Sequence, residues 1–202
     1  EPSQYTDLHS LAVLLFELWM WHHPLDGDLA CQNRCIDLIS KKRWYGHTPV
    51  FVFDPSNTTN RPNDPDYATV RNRWARCPEA IRRMFIRAFT MGLHEPTERV
   101  KEGEWQGLFM QLKDGIVQCA KCTAENIWDT ITQPLSCWHC KNAVSLPPKL
   151  VFSRPSGKYC VLLTSSTKLL PRHLDPGSED SKTVLGAMVQ NPANPAIWGI
   201  RN

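Results

Sequence analysis

The longest apolar stretch lies near the start of the chain, from Leu11 to Trp21, with Glu17 as its single charge. Thr6 or Asp7 ahead of it suits an N-cap, and Pro24 with Asp26-Gly27 stops it. The pattern predicts a helix over about 6–21. Because it is apolar nearly all round, it belongs at the buried centre of a domain, with Asp7 at its start. A second helix is expected over Ala30 to Lys42. Residues 54–66 contain three prolines and no apolar side chain, which predicts a long ordered or semi-ordered loop. Helices follow over 67–76, 78–91 and 101–113. In the second of these, Ile81, Met84, Phe85, Ala88 and Phe89 recur at helical spacing. In the third, Glu102 and Glu104 sit where a helix dipole favours acids.

The pattern then changes. Residues 117–143 are polar and carry two cysteine pairs, and Pro147-Pro148 reads as a linker. From Lys149 the runs are short and β-like: Leu150 to Phe152, a turn at Pro155-Ser156-Gly157, then Tyr159 to Leu163. The expected fold is mainly α, with a small zinc ribbon and a partial β module. The expected boundaries are 1–115, 116–146 and 147–202.

Composition narrows this little. With 42% apolar and 21% charged residues, the chain can bury a core. A net charge of +3 is too mild for a dedicated nucleic-acid binder. The apolar run falls short of the ~18–20 residues a membrane span needs, so no membrane partner is expected. The chain starts Glu-Pro-Ser without Met or a basic n-region, which reads as a fragment or processed product with no signal peptide in this segment and leaves a targeting segment upstream open.

Cysteine spacing carries the first chemistry. Cys119 and Cys122 form one Cys-x-x-Cys pair, Cys137 and Cys140 another, separated by the 14 residues 123–136. Two such knuckles at this distance have the form of a four-thiolate zinc site. His139 is an alternative ligand, but four sulfurs already complete a tetrahedron. With no position left for water, the zinc would be structural. The segment between the knuckles is too short and polar for its own core, so the metal would replace one. Reduced thiols point to the cytoplasm.

Thr6-Asp7-Leu8-His9-Ser10 running to Glu17-Leu18, with His23-Pro24-Leu25-Asp26-Gly27 after it, resembles helix F of eukaryotic-type Ser/Thr protein kinases. A second block, from Pro78 to Phe85, then Ala88-Phe89, Gly92-Leu93, Pro96 to Val100 and Trp105, is similar to the end of a kinase C-lobe. Here His9, Ala12 and Leu25 stand where the family usually has Trp, Gly and Phe. The resemblance implies that Asp7 caps the backbone of the catalytic loop. It also implies that Arg99 pairs with the glutamate of an Ala-Pro-Glu segment, which Glu1-Pro2 does not supply. No Gly-rich phosphate loop, strand lysine, His-Arg-Asp or Asp-Phe-Gly occurs. Those groups place ATP and Mg²⁺, so both belong to a full-length parent, and the chain itself is expected to be inactive. Kinase, ribbon and β module in that order resemble bacterial kinases of tellurite-resistance-type operons and helix-hairpin-helix-fused kinases. The loop from Phe51 to Pro62 resembles theirs as well. In some of them a forkhead-associated module follows, which implies a phosphoprotein partner beside the protein substrate. Its binding loops are not recognisable here.

Two other readings remain. One is a non-catalytic zinc-ribbon module contacting protein or nucleic acid through Lys121, Lys141 and Lys149, with Trp128 and Trp138 as stacking candidates or knuckle packing. Denser cations would be needed for DNA. The other is a metal or thiol enzyme using His22, His23, Cys31 and Cys35, for which no general base is evident.

Overall fold

A computed structural model describes residues 3–31, 37–129, 134–154, 157–178, 180 and 182–201, apart from the side chains of Pro195 and Ala196. The chain forms two compact units, residues 1–108 and 109–202.

The first unit is helical. Helix α1 (Gln4–Met20) starts earlier than predicted, because Ser3 is the N-cap and its hydroxyl accepts the Thr6 N–H at 3.3 Å. Asp7 lies exposed in the first turn. Burial corrects a second expectation. Only the stripe Leu8, Ala12, Phe16 and Met20 is fully buried, whereas Leu14 and Leu18 are 62% and 69% exposed. Residues four apart share one helix face, so this apolar helix covers a core on one side only.

The helix predicted over 30–42 is also corrected. Helix α2 (Asp28–Cys31) and helix α3 (Leu38–Lys42) are separate, and residues 32–36 lie outside the described set. Asp37 starts α3 as its N-cap, accepting the Ser40 N–H at 2.7 Å, and one π turn (Arg43–His47) continues it.

Helices α4 (Ala68–Arg76), α5 (Glu79–Phe89), α6 (Met91–His94) and α7 (Glu102–Asp114) follow. Phe16 organises the core. Its ring meets those of Phe85, Phe51 and Phe89 edge-on at 5.1, 5.5 and 5.7 Å, the geometry aromatic quadrupoles favour. The 54–66 loop is ordered by its own side chains. Buried Asn60 donates to the carbonyls of Leu25 and Val50 at 3.0 and 2.8 Å and accepts the Leu29 N–H at 3.1 Å. A Cβ on Gly27 would lie 2.2 Å from the Asn60 carbonyl oxygen, so only glycine permits this approach.

Among its described residues the second unit has three small antiparallel sheets: β1 (Ile116–Gln118) with β2 (Glu125–Ile127), β3 (Lys149–Arg154) with β4 (Gly157–Leu162), and β5 (Lys168–Leu169), β6 (Gly186–Asn191) and β7 (Asn194–Arg201) in that order. The β3–β4 hairpin falls where the short β-like runs predict strands, although Pro155 and Ser156 of the predicted turn lie outside the described residues; β5 to β7 lie in the segment expected to be a β module, with no individual strand predicted there, and the short helix α8 (Pro171–Leu174) was not expected. Val117, Cys119, Trp128, Cys137, Val144 and Leu162 form one buried cluster. The knuckle segment therefore has an apolar core, partly borrowed from β4. Val144 and Leu162 share it across the predicted 146/147 boundary.

A charged cluster fixes the end of α7 within this unit. The Asp114 carboxylate accepts both terminal nitrogens of Arg172, at 2.7 and 2.9 Å, together with the Tyr159 hydroxyl and His173 Nε2 at 3.2 Å. The other ring nitrogen of His173 accepts the Leu170 N–H at 2.9 Å, ahead of α8. Burial acts to raise the Asp114 pKa, but the bonds from Arg172, His173 and Tyr159 outweigh it and hold the carboxyl far below its ordinary value.

Candidate metal centre

The two knuckles are built alike. In the first, Cys119 N–H donates to the Ala124 carbonyl at 2.9 Å and Thr123 N–H to the Cys119 carbonyl at 2.9 Å. In the second, Cys137 N–H donates to the Asn142 carbonyl at 2.8 Å and Lys141 N–H to the Cys137 carbonyl at 2.9 Å. Each turn closes on a residue in the left-handed region, Thr123 at φ 59° and Lys141 at φ 62°. The β1–β2 hairpin holds the first knuckle, and the Ser136–Ala143 bridge holds the second.

The knuckles bring the four sulfurs of Cys119, Cys122, Cys137 and Cys140 within 4.8 Å of one another. Cys119–Cys140 and Cys122–Cys137 each stand 3.6 Å apart. That is far longer than a disulfide bond of ~2.05 Å. It is close to the edge of about 3.8 Å expected for a tetrahedron with 2.3 Å zinc–sulfur bonds. The set can therefore hold a metal ion. Its electrostatics agree. Backbone and side-chain donors of Asn142 hold the Cys140 thiol down to about 6. A backbone N–H from Ala124 pulls Cys122 down, but burial and the three neighbouring thiols push it up to about 12. Crowded thiols resist full ionisation unless a cation offsets their charge.

Around this set, Asn126 joins the halves. Its amide donates to the Ala124 carbonyl at 2.8 Å and towards Cys137 Sγ at 3.7 Å, while its oxygen accepts the Trp138 N–H at 3.1 Å. Sequence reading missed Asn126, since an asparagine in a polar loop carries no signal until the fold buries it. His139 is exposed, its ring edge-on to Trp138, and the four-thiol set does not include it. Trp128 packs in the knuckle core as expected, with Lys149 Nζ 5.1 Å from its ring. Trp138 remains exposed and donates its indole N–H to the Glu125 carbonyl at 2.8 Å. Lys121 and Lys141 are exposed and bond to Asn142 and the Trp138 carbonyl.

The other candidates lie in the first unit. Arg99 bridges two backbone segments, donating from Nε to the Gly92 carbonyl at 2.9 Å and from its terminal nitrogen to the Tyr5 carbonyl at 2.5 Å. His22 bonds to the Asp26 carbonyl, His23 accepts the Leu25 N–H, and Cys31 meets the Tyr67 hydroxyl at 3.1 Å. These three form no metal-ligand group among the described residues, and Cys35 lies outside them. No helix among the described residues is long and apolar enough to cross a membrane. No family model, curated protein or solved structure matches the chain.

Proposed function

We propose that this chain is the C-terminal part of a Ser/Thr protein kinase, carrying the helical scaffold of the C-lobe and a structural zinc ribbon but not the ATP site. One observation carries the reading. The two segments that resemble kinase motifs lie in one helical unit, and Arg99 of the second bonds to the backbone of Tyr5, the residue just ahead of the first. In this reading the uncovered Leu14 and Leu18 face is closed by other parts of the same lobe. Asp7, exposed at the start of α1, then receives the N–H groups of the catalytic loop. The metal is zinc, since four thiolates in a tetrahedron suit it and leave no open position. The compartment is the reducing cytoplasm. ATP and Mg²⁺ act in the parent, on protein serine or threonine.

The test is the parent gene and its product. Upstream residues should contain His-Arg-Asp and Asp-Phe-Gly, and Asp7→Asn in the full-length protein should lower phosphate transfer to a protein substrate with only a modest loss of stability. Mg²⁺-ATP turnover by the isolated chain, or a parent lacking those motifs, would overturn the reading. A second reading, a ribbon that binds protein or nucleic acid, rests on the exposed Trp138, His139, Lys121 and Lys141 beside the knuckles. Retention of a single-stranded oligonucleotide that Trp138→Ala abolishes would favour it.

A further inference from the structure

Two apolar faces of the first unit are exposed, and their charge differs. On α1, Leu14 and Leu18 flank Glu17, and the helix contains no lysine or arginine. On α3, Leu38 and Ile39 are 68% and 78% exposed, and Ile39 is the most exposed large apolar side chain among the described residues. Lys41, Lys42 and Arg43 follow directly, all exposed, and no acid occurs over 38–47. The carboxylate next in sequence, Asp37, accepts the Ser40 N–H as the N-cap.

Helical spacing sets these groups beside one another. Residues three and four apart are neighbours on a helix surface, so Leu38 neighbours Lys41 and Lys42, and Ile39 neighbours Lys42 and Arg43. The helical backbone is continuous through the π turn, where Trp44 and Tyr45 are half-buried and the Tyr45 ring sits 4.8 Å from that of His23. The turn thus presents two bare aliphatic side chains ringed by three cations, with its aromatic end held by the unit.

We propose that the Leu38–Arg43 turn is a peripheral contact for an anionic phospholipid surface. This departs from the sequence expectation of no membrane partner and is independent of the kinase reading. Aliphatic side chains gain by entering the acyl boundary while adjacent cations meet lipid phosphates and carboxylates. A nucleic acid would use the cations but leave Leu38 and Ile39 idle, since bases stack on aromatic faces. With only two inserting side chains, the association is weak and reversible.

The test is co-sedimentation of the full chain with phosphatidylcholine vesicles, alone or mixed with phosphatidylserine. Binding is expected only to the mixed vesicles. Lys41→Glu with Lys42→Glu and Arg43→Glu should lower partitioning about a hundredfold or more, from roughly a factor of five per cation removed. Leu38→Ser with Ile39→Ser should lower it about tenfold or more. Leu14→Ser with Leu18→Ser should leave it unchanged. Unchanged near-ultraviolet circular dichroism establishes folding in each variant. Equal binding to both vesicle types, binding to neither, or indifference to the Leu38/Ile39 pair would overturn the proposal. So would single-stranded oligonucleotide binding that depends on the cations but not on Leu38 and Ile39, which would make the turn a nucleic-acid contact.

Discussion

The two units are held together by different chemistry. The centre of the first is carbon, three phenylalanine rings around that of Phe16, with Trp105 and Ile81 buried as well. The buried cluster of the second has six residues, two of them cysteines of the four-thiol set, and its other fixed point is the Asp114 carboxylate with its cationic partners. Apolar packing hardly depends on redox state, metal supply or acidity near neutral pH. Thiolates and buried ion pairs depend on all three. The first unit should therefore behave as a scaffold of constant stability, and the second as a conditional one.

On the reading of the four cysteines as a zinc site, the largest effect that could break this contrast is metal removal. Structural zinc contributes about 10–16 kcal/mol in finger peptides, more than so small an apolar cluster can replace. A chelator, or Cys137→Ser, should remove hydrogen-exchange protection from β1, β2 and the knuckles while α5 stays protected. Loss of protection in α5 at the same chelator concentration would show that the units do not stand apart. The converse test is Phe16→Ala, expected to cost about 3–5 kcal/mol through the cavity it leaves. Denaturant should then melt the helical unit earlier, while the thiolate-to-cobalt absorption of a Co²⁺-substituted knuckle pair persists to the same concentration as before.

Asp114 sharpens the contrast. Asp114→Asn leaves Arg172, only 10% exposed, without its charge partner and should cost the second unit about 3 kcal/mol. The carboxyl titrates lower when folded than unfolded. Its contribution is therefore complete above the unfolded value of about 4 and is lost as pH falls from there towards the folded one. Acid also protonates thiolates, so the diagnostic is the difference between the wild type and Asp114→Asn. That difference should shrink below about pH 4 and stay constant near neutrality. The smallest effect belongs to Asn60→Ala, which frees the Leu25 and Val50 carbonyls and the Leu29 N–H. A cost of about 2 kcal/mol is expected, read from the denaturation midpoint of the first unit alone.

What the sequence made legible follows from range. The four cysteines were visible because ligand spacing within a knuckle is local. The β3–β4 hairpin was visible because two short β-forming runs on either side of a turn signal are local too. Helix α1 was legible as a helix, but its burial was not. Leu14 and Leu18 are as apolar as Leu8, and only tertiary packing decides which face is covered. The Asp114 cluster was illegible, since its partners lie 45 to 59 positions away and each reads alone as an ordinary polar residue. The same holds for Asn60, whose carbonyl partner at Leu25 is 35 positions distant. The break between α2 and α3 was obscured because Asp37 looks like any polar residue inside a helix until its carboxylate is seen on the Ser40 N–H.

The matched turns of the knuckles make them a clock. Thr123, a β-branched residue, sits in the left-handed region that such residues avoid, so a metal holding its knuckle would also hold that strained turn. The amides of Thr123 and Lys141 are bonded back to Cys119 and Cys137, so on the zinc reading they should exchange with solvent faster once the metal is removed. With a metal bound, two proton signals, one per knuckle, would report the fraction of time each knuckle stands open, and its opening rate where exchange outpaces reclosing. Whether they decay together or apart tells whether the ion leaves in one event or lets go of one pair of sulfurs first.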